Sequence, residues 1–235
     1  FVNHTFDVVY DFQLTQRTNG YYKLFWPFKA PPWSGSAKGC HYYRRPQFET
    51  IHVLDRLYDQ LQETGVLKKN SPALVPDLSW LQAQPLETIN PYVILIPGCS
   101  KAHPHKRWPL NYFKNLALKL IEYNLDVVAI GGPDEMSLLE TLKTCHQRIN
   151  TRILLSLESM VSLGQGAQFA VGNDTGPSHF IAATGCPVFY CWSGASSPQV
   201  FAPRGDHITI FQEKNLEDLT LDRVWKTIYH DVIKP

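Results

Sequence analysis

The chain has 235 residues and a mass of 26.8 kDa, enough for one large domain or two small ones around a buried core. Hydrophobic residues make up 44% and charged residues 18%, which excludes a disordered chain. With 22 basic against 21 acidic side chains the net charge is +1, so the balance argues against nucleic acid as a partner, because such binding rests on neutralising many phosphates.

Phe6 to Phe12 (FDVVYDF) is short, aromatic and β-branched, which predicts a buried strand. Tyr21 to Pro46 is crowded with aromatics, prolines and glycines and reads as an ordered loop. From Glu49 to Thr64 the apolar residues Ile51, Leu54, Leu57, Tyr58 and Leu61 recur at three- and four-residue spacings, and Gly65 supplies a stop, so the stretch predicts a helix. Prolines at 72, 76 and 85 then interrupt the pattern, and a domain boundary is expected near residue 88.

Beyond it strand-like runs alternate with amphipathic helices. The predicted strands are Tyr92–Ile96, Asp126–Ile130, Arg152–Leu154, Phe169–Gly172 and Val188–Tyr190. Between them lie predicted helices Leu110–Tyr123, Asp134–Cys145, Leu157–Gln165 and Ser178–Thr184, and a helix Leu216–Val232 closes the chain. This alternation predicts an α/β fold, a parallel sheet wrapped by helices. Runs such as YVILI and DVVAI fit strands buried on both faces.

In such a sheet ligands bind beyond the carboxyl ends of the strands, which singles out three segments. Pro97 to Pro109 (PGCSKAHPHKRWP) carries Ser100, Lys101, His103, His105, Lys106 and Arg107. A hydroxyl and ammonium groups before a helix suit a pyrophosphate, although a solvated basic loop has the same composition and no Walker A pattern is present. After DVVAI comes Gly131-Gly132-Pro133-Asp134-Glu135, where an acidic side chain can accept ribose hydroxyls or cap the following helix. Gly172 to His179 (GNDTGPSH) turns a strand abruptly into a helix. Amides near Thr175 and the positive helix end make an anion site there, Asp174 can bind sugar hydroxyls, and His179 stands beside them.

The five cysteines show neither CxxC nor metal-ligand spacing and read as reduced thiols, with no metal site. No run reaches the roughly 18 to 20 apolar residues of a membrane span, and no signal segment opens the chain. A cytoplasmic protein that meets a membrane only peripherally is therefore expected.

PGCSKAHPHKRWP, GGPDE and the run from Leu155 through NDTGPSHFIAATGCPV together resemble the lipopolysaccharide heptosyltransferase family, over residues 90–205. DVVYDFQ and HVLDRL resemble the N-terminal domain of that family. The resemblance implies a GT-B fold of two Rossmann-like domains, here a partial acceptor-side domain (residues 1–88) and a nucleotide-sugar-binding domain (residues 89–235). It also implies inverting transfer from a nucleotide-diphosphate sugar, ADP-heptose favoured, to the lipopolysaccharide core at the inner membrane, with no cofactor and no metal.

By motif position, the resemblance assigns Ser100 and Lys106 to the diphosphate, Glu135 to the ribose and Leu155 to the base. Asp174, Thr175, Gly176 and His179 fall to the sugar and phosphate turn. Two extra residues separate Ser100 from Lys106, compared with some members of the family. The family's general base is an aspartate expected upstream of Phe1, so the fragment itself is expected to lack it. Asp11 is read as structural; Gln13 and Arg17 are weak acceptor-side candidates, and the aromatic and basic segment Trp26 to Arg45 either guides a lipid-linked glycan or packs between domains. Two other readings stand beside the transferase: a nucleotide-sugar epimerase or hydrolase of GT-B type, kept open by His103, His105 and His179, and a binding protein without turnover.

Overall fold

The computed structural model describes residues 5–44, 51–72, 76–81, 83–84, 90–205 and 207–234. The chain forms two compact units, Phe1–Val75 with Gln199–Phe201, and Pro76–Pro198 with Ala202–Pro235. The boundary expected near residue 88 lies outside the described residues.

In the first unit, β1 (Val9–Tyr10), β2 (Trp33–Gly35) and β3 (Tyr42–Tyr43) form a parallel sheet in that order, with Val9 opposite Trp33 and Ser34 opposite Tyr42. Helix α1 (Gln16–Lys23) starts at Thr15, whose hydroxyl accepts from the Thr18 amide while Thr18 reciprocates, so two orphan groups of the first turn are satisfied together. Helix α2 (Val53–Glu63) buries Gln60, which donates to the carbonyls of Asp11 (3.2 Å) and Ser34 (3.1 Å). Residues 21–44 are therefore more than a loop, and residues 45 and 46 lie outside the described residues. They carry the end of α1 and two strands too short to show a period, closed over Trp33, against which Tyr22 and Phe25 pack edge-on. The helix predicted from Glu49 begins at Val53, after a His52 cap; residues 49 and 50 lie outside the described residues. Asp11 is buried and committed to its own turn, accepting from the amides of Gln13 and Leu14 (both 3.0 Å) and from the Thr18 hydroxyl (2.7 Å).

In the second unit six parallel strands stand in the order β6-β5-β4-β7-β8-β9. They are β4 (Tyr92–Ile96), β5 (Asp126–Gly131), β6 (Ile149–Ile153), β7 (Phe169–Asn173), β8 (Val188–Ser193) and β9 (Ile208–Glu213). Helices α3 (Leu110–Glu122), α4 (Met136–Lys143), α5 (Leu157–Gly166), α6 (Gly176–Ala183) and α8 (Leu221–Ile228) connect or follow them, as does α7 (Pro198–Phe201), whose last three residues count with the first unit. Because side chains alternate along a strand, β4 feeds two cores. Val93 and Leu95 pack with Phe113, Leu116 and Leu120 of α3, whereas Tyr92, Ile94 and Ile96 pack with Leu163 of α5 and Ile181 of α6. A strand enclosed on both sides has to be apolar throughout, which is why YVILI has no polar position.

Several boundaries in the second unit differ from the sequence expectation. The predicted helix Asp134–Cys145 opens as a 3₁₀ turn at Pro133–Glu135 before α4. The predicted strand Arg152–Leu154 is β6 and stops at Ile153, because Leu154 adopts a positive φ of 54°. The predicted helix Leu216–Val232 is a 3₁₀ turn (Leu216–Asp218), a break at Thr220, α8, and a π-helical end (Tyr229–Ile233). Thr220 imposes the break by capping α8 with its hydroxyl on the Arg223 amide (3.4 Å). Among the described residues no helix is long and apolar enough to cross a membrane.

The strand order creates one special place. The chain proceeds outward from β4 through β5 to β6, then returns to pair β7 with β4 and proceeds the other way. The connections therefore part above β4 and β7, leaving a crevice at their carboxyl ends where ligands of open α/β sheets bind.

Candidate functional site at the strand switch point

The crevice is framed by the loop after β4 and the turn after β7, and a single side chain fastens them together. Asn173, the last residue of β7, is fully buried; its Nδ2 donates to the carbonyls of Pro97 (2.9 Å) and Gly98 (3.2 Å), and its Oδ1 accepts from the Trp108 amide (2.9 Å). Trp108 is itself buried and donates its indole N–H to Leu219 O at 2.7 Å. Arg107 closes back on the Cys99 carbonyl through Nε (3.2 Å) and Nη2. The loop is thus pinned at both ends while Ser100 to Lys106 project beyond the sheet. Gly172 allows the approach, since a Cβ there would stand 2.8 Å from both Ile96 Cβ and Ser178 Oγ.

Lys106 and Asp174 meet at the centre. Lys106 Nζ lies 2.6 Å from Asp174 Oδ2 and 3.3 Å from Ser196 Oγ, and Ser196 Oγ donates to the same carboxylate oxygen at 3.0 Å. His179 Nε2 stands 3.5 Å from Asp174 Oδ1. The Lys106 and Asp174 side chains are 18% and 11% exposed. Burial pushes the Asp174 carboxyl up, but hydrogen bonds from His179 and Lys106, the Lys106 charge and the Ser196 hydroxyl together outweigh it and bring the pKa down to about 2. Asp174 is an anion at neutral pH, sharing its oxygens among a cation, a hydroxyl and an imidazole. Beneath this group lies Tyr190, fully buried, its ring 6.0 Å from that of His179. Burial and then the Asp174 charge push its phenol well up.

The other candidates take separate places. Ser100 is exposed, and its hydroxyl accepts from the Ala102 amide at 3.4 Å. Glu135 caps the turn after β5, its Oε2 accepting from the Gly132 amide at 2.7 Å. The carboxylate occupies the space a Cβ on Gly98 would need, which sets it beside the first loop. Asp134 pairs with Lys101 at 2.6 Å, in the open. Leu155 is half-buried against the second core, while its neighbour Leu154 is 73% exposed. Thr175 caps α6 with extended backbone and no side-chain bond, and Gly176 is open, with nothing within 4 Å of an added Cβ. In the first unit, Arg17 donates to Gln13 at 3.3 Å, and the pair is exposed. His103 and His105 stack edge-on, 5.7 Å between ring centroids. Among the described residues, no three His, Cys, Asp or Glu side chains are grouped to hold a metal ion.

Ser196 was missed from the sequence, although a signal for it exists. The predicted strand Val188–Tyr190 stops early; β8 runs to Ser193, and its carboxyl end neighbours that of β7, so the turn after it belongs to the same crevice. Asn173 lay inside the quoted motif without a role, because a buried staple looks in sequence like any strand-end asparagine.

The chain is similar to several known proteins. Lipooligosaccharide heptosyltransferase 2 of Haemophilus influenzae is 27% identical over 159 residues, 60% of this chain and 45% of that protein, so the match spans less than half of this curated relative. Two solved E. coli structures share the fold at 19% identity. ADP-heptose lps heptosyltransferase II has a TM-score of 0.76, over 96% of this chain and 76% of its own. Heptosyltransferase WaaC with ADP-2-deoxy-2-fluoro heptose has a TM-score of 0.74, over 97% of this chain and 73% of its own. These likenesses give the parallel α/β architecture its GT-B type. The pattern of glycosyltransferase family 9 (heptosyltransferase) matches residues 41–225, which takes in the loop after β4, the turn after β7 and the strands that carry them, and the chain belongs to that family.

Proposed function

We propose that this chain is the donor-binding part of a glycosyltransferase that moves a heptose or related sugar, with inversion, from a nucleotide diphosphate to the lipopolysaccharide core. The observation that carries the reading is the Lys106–Asp174–Ser196 cluster at the strand switch point, beside the N-terminal end of α6. Lys106 offers a cation to the leaving diphosphate, and the first amides of α6 add fixed positive dipoles where charge develops as the glycosidic bond breaks. Asp174 and His179 offer polar groups to the sugar, and Glu135 and Leu155 lie toward the ribose and base. ADP-heptose is the favoured donor, in keeping with ADP in one solved WaaC structure and an ADP-heptose analogue in another. Residues 89–235 serve as the donor domain and residues 1–88 as the acceptor side. Asp11 is held by its own turn and Asp174 by Lys106 and His179, so neither is assigned as the base that takes the acceptor proton.

The reading also includes contact with the inner-membrane surface. In the first unit Leu24 stands in the open, and Trp26, 85% exposed, lines with Phe28, Lys23 and Lys38 a groove of about 500 Å³. From Phe12 through Arg44 the sequence has five cationic side chains, Arg44 included, and no carboxylate, a combination suited to an anionic interface.

Isothermal titration with ADP, ADP-heptose and UDP-sugars tests the reading, repeated with Lys106→Ala and Asp174→Ala. ADP-heptose is expected to bind selectively and to be lost in both variants, with ADP itself lost in Lys106→Ala. Tight UDP-sugar binding, or indifference to both substitutions, overturns it.

A further inference from the structure

We infer that Ser196, on the turn after β8, is a positioning residue that holds the Asp174 carboxylate while Lys106 turns its charge to a bound diphosphate. The inference rests on the reading of Lys106 given above.

Lys106 and Asp174 satisfy one another at 2.6 Å. An arriving diphosphate asks for the same ammonium group and also brings negative charge toward Asp174. If Lys106 were the sole partner of Asp174 Oδ2, releasing it would leave a carboxylate that is 89% shielded from water with one oxygen bare, and such desolvated charge is costly. Ser196 Oγ removes that difficulty. It donates to Oδ2 at 3.0 Å, and being a neutral hydroxyl it keeps doing so whatever happens to the lysine. Its lone pairs also accept from Lys106 Nζ at 3.3 Å, so the ammonium group keeps an intermediate partner as it moves.

The mounting of Ser196 supports this role. Its carbonyl accepts from Nε1 of Trp192 at 2.8 Å, and Trp192 is fully buried in β8. The same turn is anchored by the Gly194 amide on Lys214 O at 3.4 Å. Lys106 lies on the loop after β4 and Asp174 on the turn after β7, so the hydroxyl is carried by a third element that can stay still while the other two respond to a ligand. Ser196 acts through Asp174 and is assigned no contact with the substrate.

The test is ADP affinity by titration calorimetry in the wild-type chain, Ser196→Ala, Ser196→Thr, Asp174→Ala and the Ser196→Ala/Asp174→Ala double variant. Ser196→Ala should weaken ADP about tenfold, the size of one hydrogen bond to a charged group. Ser196→Thr keeps the hydroxyl and should restore binding to within about threefold of wild type, which separates the role from a folding defect. In the Asp174→Ala background, where Lys106 has no carboxylate to leave, the Ser196→Ala effect should vanish, as coupled residues require. An undiminished tenfold loss in that background overturns the inference, as does a Ser196→Ala variant that binds ADP like wild type. Lys106→Ala separates the two failures. ADP binding that ignores Lys106 overturns the donor-site reading and this inference with it; binding that needs Lys106 but ignores Ser196 overturns this inference alone.

Discussion

Replacing Lys106 with alanine should change how the stability of the fold depends on pH, independently of any ligand. The Asp174 carboxyl sits at about 2 in the folded chain against an ordinary 3.8. At about 1.4 kcal/mol per pKa unit, its ionised form contributes on the order of 2 kcal/mol to folding at neutral pH. Because the folded pKa is the lower one, the contribution is complete above the unfolded value near 4 and drains away as the pH falls through about 2. The side chain is 11% exposed, so solvent screening takes little from it. Lys106→Ala leaves the His179 and Ser196 hydrogen bonds, which lower the pKa, against burial, which raises it, and deletes the hydrogen bond and the charge that Lys106 adds. Urea unfolding of wild type and variant at pH 7, 5 and 3 should therefore show a gap on the order of 1 to 2 kcal/mol at pH 7 that shrinks to about half at pH 3. A gap that stays constant over this range would refute the reasoning, since it would mean that Lys106 supports the fold by packing and not by holding Asp174 ionised.

Asn173→Asp keeps the shape but turns two donated bonds, to Pro97 O and Gly98 O, into contacts between a carboxylate and carbonyls. It should cost about 3 kcal/mol or more in thermal or chemical unfolding, and a loss under about 1 kcal/mol would show that the two loops are held by other means. Gly172→Ala drives a methyl group against Ile96 Cβ and Ser178 Oγ, each 2.8 Å away, and should lower stability by about 2 kcal/mol. Trp26→Ser with Phe28→Ser should reduce partition onto anionic phospholipid vesicles about tenfold in a flotation assay. Equal binding by the variant would remove that surface from the membrane reading.

Much of the second unit was legible in the sequence, for a physical reason. Strands enclosed on both faces, such as Tyr92–Ile96 and Asp126–Gly131, have to be apolar at every position, and that pattern survives in a single sequence. The strand Ile208–Glu213 lies at the sheet edge, mixes half-exposed positions with one buried Phe211, and showed no such run. Trp33–Gly35 and Tyr42–Tyr43 were hidden because three residues and two residues cannot display a period of two. Leu154 and Thr220 shifted element ends through backbone conformation and capping, which apolar spacing does not register. At the site, the motifs located Lys106 and Asp174 individually, yet their pairing spans 68 positions and Ser196 joins from 22 positions further on, distances at which a single sequence carries no signal of contact.

The bond from the Trp108 indole to Leu219 O ties the loop that carries Lys106 to a residue 111 positions downstream, just ahead of α8. The reach of the ammonium group is therefore tuned from near the far end of the chain. Cutting the protein back before residue 216 would spare every motif of the site, yet it would strip a fully buried indole of its acceptor and unseat the residue two places after Lys106. A tag added behind the last helix asks nothing of this tie, whereas a trim in front of it unmoors the loop at the opposite end of the domain's sequence.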